Sequence, residues 1–226
     1  MIEVVTSRNA LLYKDALTDM FHLRHRIFVE KMGWEALRKP DRLEIDQFDT
    51  DDAIYLLLTQ DDGKVIGTHR MLPTTKPHLF SDLFPQLCAV KGLVRDERVL
   101  ELNRTCVDEE RLDKRAMETA RKHLMAGLFE FCLRSGYDRF TVLTSTDILF
   151  RYLLMGVDIK PLGMPVDMDG SKQVAAIVSV TPQSLDAVRA ALAIPQPQVH
   201  YVGAPHGDPL VIAPDHTQQR NLEAAE

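Results

Sequence analysis

The stretch RVLELNRTCV, residues 98–107, reads as a strand: apolar side chains recur at alternate positions, and Val and Thr favour extended backbone. Glu101 shares a face with Val99 and Asn103, while strict alternation puts Arg104 on the opposite face. A bulge near Asn103 would bring Glu101 and Arg104 to one side. Downstream, residues 114–135 form a long amphipathic helix that stops at Gly136, which suits a helix C-cap. RFTVLTS, residues 139–145, is the next strand. Strand, helix, strand is a crossover, so these two strands are expected parallel in one sheet, joined in the right-handed sense. Where parallel strands diverge they leave a cleft, and ligands tend to bind there.

Upstream, AIYLLLTQ (53–60) and KVIGTHRML (64–72) are strands joined by DDG, a hairpin signal. Residues 2–5 are a short strand and residues 10–31 a helix. Residues 35–52 contain Pro40 and show no period, so they are expected as a loop; 73–87 form a loop with one helical turn. Further on come a helix over 146–156, a strand over 172–180 and a helix over 181–192, the last opened by a Thr181 cap and Pro182. This order predicts an α/β fold on a mixed sheet, antiparallel in its first part, as one domain over residues 1–193. Residues 194–226, rich in Pro, Gln and His, are expected as an irregular tail.

A chain of 226 residues with 45% hydrophobic and 27% charged residues is long enough for one sizeable core. The net charge of −6 argues against nucleic-acid binding. Cys88, Cys106 and Cys132 show no CxxC spacing and read as reduced thiols of a cytoplasmic protein. No apolar run is long enough to span a bilayer, so no membrane partner is expected.

In LRHRIFVEKMGW, residues 23–34, Arg24 falls inside the apolar stripe of Leu12, Ala16, Met20, Leu23 and Ile27, between Met20 and Phe28. His22, His25, Arg26 and Asp19 fall on the other arc. A core-facing Arg is costly unless paired; otherwise it snorkels at the helix edge. The following loop holds Glu35, Asp41, Glu44, Asp46, Asp49 and Asp51, of which Asp46 and Asp49 are close enough in sequence to fold back on Arg24. Arg70 falls on the same strand face as Ile66, Thr68 and Leu72, the more apolar one, where few arginines belong. Three arginines and several acids set against one core make either a structural ion network or a site for a polar, zwitterionic ligand. Phe28 and Trp34 lie beside the same group and suit a cationic ligand that carries an aromatic ring.

These motifs together resemble the acyl-homoserine-lactone synthases, the LuxI-type autoinducer synthases of quorum sensing. The matching residues are Arg24, Phe28 and Trp34, Asp46 and Asp49 in EIDQFD, Arg70 in GTHRMLPTT, Phe84 in LFPQL, and Glu101 and Arg104 in ELNR. The resemblance covers roughly residues 1–180. The family usually has Ser and Phe flanking its last Arg, where this chain has Asn103 and Thr105. The resemblance implies a GNAT-like acyltransferase fold: an α-β-α sandwich whose central sheet splays into a V. It implies two substrates, S-adenosylmethionine and an acyl thioester carried by acyl-CoA or acyl carrier protein, with no metal and no cofactor. The methionyl amine attacks the thioester, the carboxylate then closes the lactone, and methylthioadenosine leaves.

On that reading Glu101 is the base, acting directly or through water. Arg24, Phe28, Trp34, Asp46, Asp49, Arg70 and Arg104 form the S-adenosylmethionine site and its supporting network. Phe84, Val142 and Thr144 line the acyl pocket. Similarity over residues 12–57 points to the branch that uses acyl-CoA with short branched or aryl acids. An N-acyltransferase acting on another small amine, a non-catalytic ligand-binding regulator and a purely structural ion network remain as other readings.

Overall fold

The computed structural model describes residues 1–168 and 170–200. Its strands are β1 (Ile2–Val5), β2 (Ile54–Thr59), β3 (Val65–Pro73), β4 (Val99–Val107), β5 (Arg139–Ser145), β6 (Ile159–Pro161), β7 (Val166–Met168), β8 (Ser171–Ser179) and β9 (Val199–His200). Its α-helices are α1 (Lys14–Arg24), α2 (Leu79–Asp82), α3 (Lys114–Arg134), α4 (Thr146–Leu154) and α5 (Pro182–Leu192). The strands make one sheet in the order β6-β8-β5-β4-β3-β2-β1-β9, with β7 paired to β8. Only β4–β5 and β1–β9 pair parallel.

Helices cover both faces. On one, Leu124, Leu128, Phe129 and Phe131 of α3, Tyr152 of α4 and Val188 of α5 pack with Ile2, Leu56, Leu100 and Phe140. A β-carbon on Gly127 would run into Ile2 Cδ1, so glycine lets α3 approach β1 closely. On the other face, α1 packs Met20 and Leu23 with Tyr55, Leu57 and Leu72, and Phe80 of α2 packs with Leu87, Leu162 and Ala175. The α-β-α sandwich matches the expectation.

Two backbone features shape the centre of the sheet. The β4–β5 register runs from Val99↔Arg139 to Leu102↔Val142 and stops, while β4 continues against β3 to Val107 and β5 against β8 to Ser145. The sheet therefore splays after Leu102 and Val142, which is the expected V. Second, Thr68 pairs with Cys106 but Arg70 with Asn103, so β4 carries an extra residue there. Arg104 within this bulge has φ +48°, a left-handed conformation uncommon for a side chain of its size.

Two readings from sequence need correction. Residues 10–31 are not one regular helix: a 3-10 turn (Ala10–Tyr13) precedes α1, and a π-helix (His25–Lys31) follows it. His25, at the junction of α1 and the π-helix, is buried although an ideal period places it on the outer arc, and Leu11 and Leu12 stay exposed at the 3-10 end. The tail is also ordered further than expected. Ile2 N–H donates to Gln198 O, Gln198 N–H donates to the buried Glu130, and Val199–His200 add a parallel strand to the edge of β1. Residues 201–226 of the expected tail lie outside the described residues.

Candidate active site

The centre of the site is built by three elements converging on one face of the sheet. Arg24 ends α1, Arg70 comes from β3, and the loop after the π-helix folds back over both. Glu44 N–H donates to Phe21 O, pinning that loop to α1. The loop then locks itself: Phe48 N–H donates to Asp46 Oδ1, and Asp46 N–H to Asp49 Oδ2. This holds three carboxylates against three guanidinium groups. Arg24 takes both oxygens of Asp49, at 2.7 and 2.8 Å, and Glu44 at 2.5 Å. Arg70 takes both oxygens of Asp46, at 2.6 and 2.9 Å, and approaches Asp49 at 2.8 Å. Arg104 reaches Glu44 at 3.1 Å and Asp46 at 2.6 Å. Arg24 and Arg70 are 0% exposed. The snorkelling reading of Arg24 is thereby excluded.

The cluster is charge-balanced and forked throughout, the arrangement that makes buried ions tolerable. Burial by itself would raise the Asp49 carboxyl, but the hydrogen bond and charge of Arg24, then the charge of Arg70, hold it well below the usual carboxylate range. Tyr55 donates to Asp49 at 2.8 Å, and burial followed by the Asp49 charge pushes its phenol upward. Arg104 is shifted the other way: burial lowers it, and Glu44 and Asp46 only partly offset this.

Arg104 also carries the aromatic end of the site. Phe28 and Trp34 stack at 5.0 Å between ring centroids, and the Arg104 guanidinium lies 5.5 and 5.3 Å from them. The bulge in β4 is what turns Arg104 to this side, as the pattern of RVLELNRTCV required.

Asn103 extends the network. It accepts from Arg70 Nε at 2.7 Å and donates to Glu101 at 3.0 Å. Glu101 is buried and accepts three further bonds, from Leu79 N–H at 3.0 Å, Phe80 N–H at 2.8 Å and His78 Nδ1 at 2.6 Å. Two donors on each oxygen fill the usual capacity of a carboxylate. Glu101 sits one residue before the vertex of the splay.

Phe84, Val142 and Thr144 do not join this network. Phe84 packs with Phe80 and Leu87 on the α1–α2 face. Val142 packs with the α3 core on the opposite face, and alternation places Thr144 with it. The splay lies between them. The reading from sequence missed Glu44 and His78, and gave Asn103 no place in the site. The need for a third carboxylate opposite three arginines was a usable signal for Glu44, which opens the quoted EIDQFD. Only tertiary structure links His78 to Glu101, 23 residues away.

The arginine–carboxylate network thus converges beside a splayed parallel strand pair, and comparison with known proteins gives the class of protein. Residues 8–188 match the model of the autoinducer synthase family, and the chain belongs to that family. It is 37% identical over 195 residues to the isovaleryl-homoserine lactone synthase of Bradyrhizobium diazoefficiens, covering 86% of this chain and 87% of that protein. The structure of BjaI, a CoA-dependent acyl-homoserine lactone synthase with SAM and isopentyl-CoA, superposes with a TM-score of 0.83 at 35% identity, covering 98% of this chain and 99% of that one. A putative N-acetyltransferase from Lactobacillus plantarum shares the fold alone, with a TM-score of 0.50 at 20% identity, over 80% of this chain and 99% of that one. Among the described residues, no helix is long and apolar enough to cross a membrane.

Proposed function

We propose that this chain acylates the amine of S-adenosylmethionine with a short branched acyl group from acyl-CoA and then closes the homoserine lactone, releasing methylthioadenosine. The observation that carries this is the splay. Its vertex at Leu102 and Val142 adjoins Glu101 on one side, and the arginine network lies along the same β4 strand. A thioester threaded between β4 and β5 meets an amine held against the network.

In this reading Asp46 and Asp49 supply negative potential for the sulfonium and amine. Arg24 and Arg70, fully buried, hold those carboxylates, and Arg104, the one guanidinium of the three with exposed surface, meets the substrate carboxylate. Phe28 and Trp34 face the adenosyl group, and Phe84, Val142 and Thr144 border the acyl path. Strand N–H groups no longer paired past Leu102 and Val142 serve the tetrahedral oxyanion. Glu101 belongs to the acylation step.

CoA rather than acyl carrier protein as donor is supported by the relatives above and by charge. Carrier proteins are acidic and dock on contiguous basic surface, whereas this chain carries a net charge of −6. Lys114, Arg115 and Arg121 are exposed at the start of α3 and suit CoA phosphates. The α3 N-terminus itself is capped, because Ala116 N–H donates to the Asp113 carboxylate. The test is to give purified protein S-adenosylmethionine with isovaleryl-CoA or isovaleryl carrier protein, following thiol release and product mass. The expected result is the branched lactone, with higher kcat/KM for the CoA donor. A carrier-protein preference of tenfold or more would overturn the donor assignment, and no lactone with either donor would overturn the whole reading.

A further inference from the structure

Three buried histidines of the described chain have a ring nitrogen without a hydrogen-bond partner: His25, His69 and His78. Their surroundings differ. His69 Nδ1 meets the hydroxyl of Thr105, and burial, partly offset by the Leu124 backbone, pushes its imidazole down to about 4, so it stays neutral. His25 Nδ1 is 3.6 Å from Glu30, which is itself engaged by Arg42 at 2.6 Å. His78 alone of the three has a buried carboxylate within hydrogen-bond distance, Glu101 at 2.6 Å.

That contact fixes the tautomer. Two lone pairs do not approach to 2.6 Å, so a proton lies between Nδ1 and Oε2. Glu101 already accepts from Leu79 N–H, Phe80 N–H and the Asn103 amide, so it presents a carboxylate and the proton is on Nδ1. In the neutral imidazole Nε2 then carries the lone pair. A carboxylate that orients an imidazole through Nδ1–H and stabilises its protonated form is the usual arrangement for making Nε2 a proton acceptor. The four donors on Glu101 leave the carboxylate itself no comparable capacity. Beside the pair, Thr141 is the β5 partner of Glu101, and its hydroxyl is likewise buried without a partner.

We propose that His78 is the proton acceptor of the acylation step and that Glu101 is a positioning residue acting through it, at the vertex of the splay. This rests on the lactone-synthase reading above. The amine enters attack as its free base, having left one proton to solvent. Its lone pair forms the C–N bond as the thioester carbonyl becomes an oxyanion. The nitrogen, now positively charged, gives one proton to Nε2, and the imidazolium is held by Glu101. The oxyanion re-forms the carbonyl, the C–S bond breaks, and the imidazolium protonates the departing thiolate. The products are the amide and free thiol, and His78 is neutral again.

The test is the pH profile of kcat for thiol release, measured at several temperatures on the wild-type chain with saturating S-adenosylmethionine and isovaleryl-CoA. The expected acid limb has the temperature dependence of imidazole ionisation, steeper than a carboxylate's and shallower than that of the substrate amine; a midpoint that stays fixed with temperature, or one that moves as steeply as an amine's, overturns the assignment. In parallel, His78→Gln should lower kcat by roughly 10²–10⁴ with KM for S-adenosylmethionine unchanged. It should also lose the acid limb and regain part of the rate with added imidazole. A folded His78→Gln enzyme with wild-type kcat overturns the proposal. If His78→Gln does not fold, the wild-type temperature dependence decides alone. No thiol release from wild type would instead refute the lactone-synthase reading.

Discussion

The arginine network and the His78–Glu101 pair are joined through Asn103, yet they differ in how fully their hydrogen-bonding groups are engaged. Each of the six oxygens of Glu44, Asp46 and Asp49 accepts at least one N–H or O–H donor. At the other end Glu101 is equally full, but the imidazole bound to it keeps one nitrogen without a partner. A fully satisfied buried network is rigid, and rigidity is what a binding site for a flexible, charged substrate needs. A group that exchanges protons must keep a lone pair available. The difference divides the labour: one end holds, the other reacts.

The sharpest way to break this contrast is Arg24→Ala. It leaves Glu44 and Asp49 short of their main cation and should cost about 3–5 kcal/mol, read from denaturant unfolding, with lactone output lost. A variant of normal stability and activity would refute the holding role.

Acid should act in the same direction without a mutation. Asp49 is held below its unfolded value of 3.8, so its contribution to stability is complete above that pH. It declines as pH falls below 3.8 toward the lower folded value, where both states become protonated. Unfolding midpoints measured from pH 6 down to pH 2 should therefore drop below about pH 4, and the drop should shrink in Asp49→Asn.

A smaller effect is expected at the aromatic end. Trp34→Ala removes a stack and a cation–π contact worth about 0.5–1.5 kcal/mol. It should weaken S-adenosylmethionine binding more than it lowers the melting temperature. Smallest of all is Arg38→Ala. Its pair with Glu35 is largely exposed, so neither melting temperature nor turnover should change beyond measurement scatter.

Much of this organisation was legible in the chain. The parallel step follows from two strand patterns separated by a helix-length segment. The bulge follows from Glu101 and Arg104 needing one face in a strand that alternates. Arg24 was recognisable because an arginine stood among Met20, Leu23 and Phe28 on a helical stripe. What stayed hidden depends on backbone departures or distant pairing. Ideal periodicity misplaced His25, which lies where α1 gives way to the π-helix, a change of winding that no residue pattern announces. A two-residue edge strand, Val199–His200, is too short to show a pattern and exists because β1 offers it an edge. His78 lies in a stretch read as loop, and only its contact with β4 gives it meaning.

The division of labour is tested most directly by measuring S-adenosylmethionine affinity and single-turnover acyl transfer side by side in Asp46→Asn and Glu101→Gln. Asp46 binds Arg70 and Arg104 within the holding end, whereas Glu101 contacts His78. The account predicts that Asp46→Asn loses affinity, and that Glu101→Gln keeps affinity while its acyl-transfer rate falls by roughly 10²–10⁴. Intact acyl transfer in Glu101→Gln, or loss of binding there with normal binding in Asp46→Asn, would contradict it.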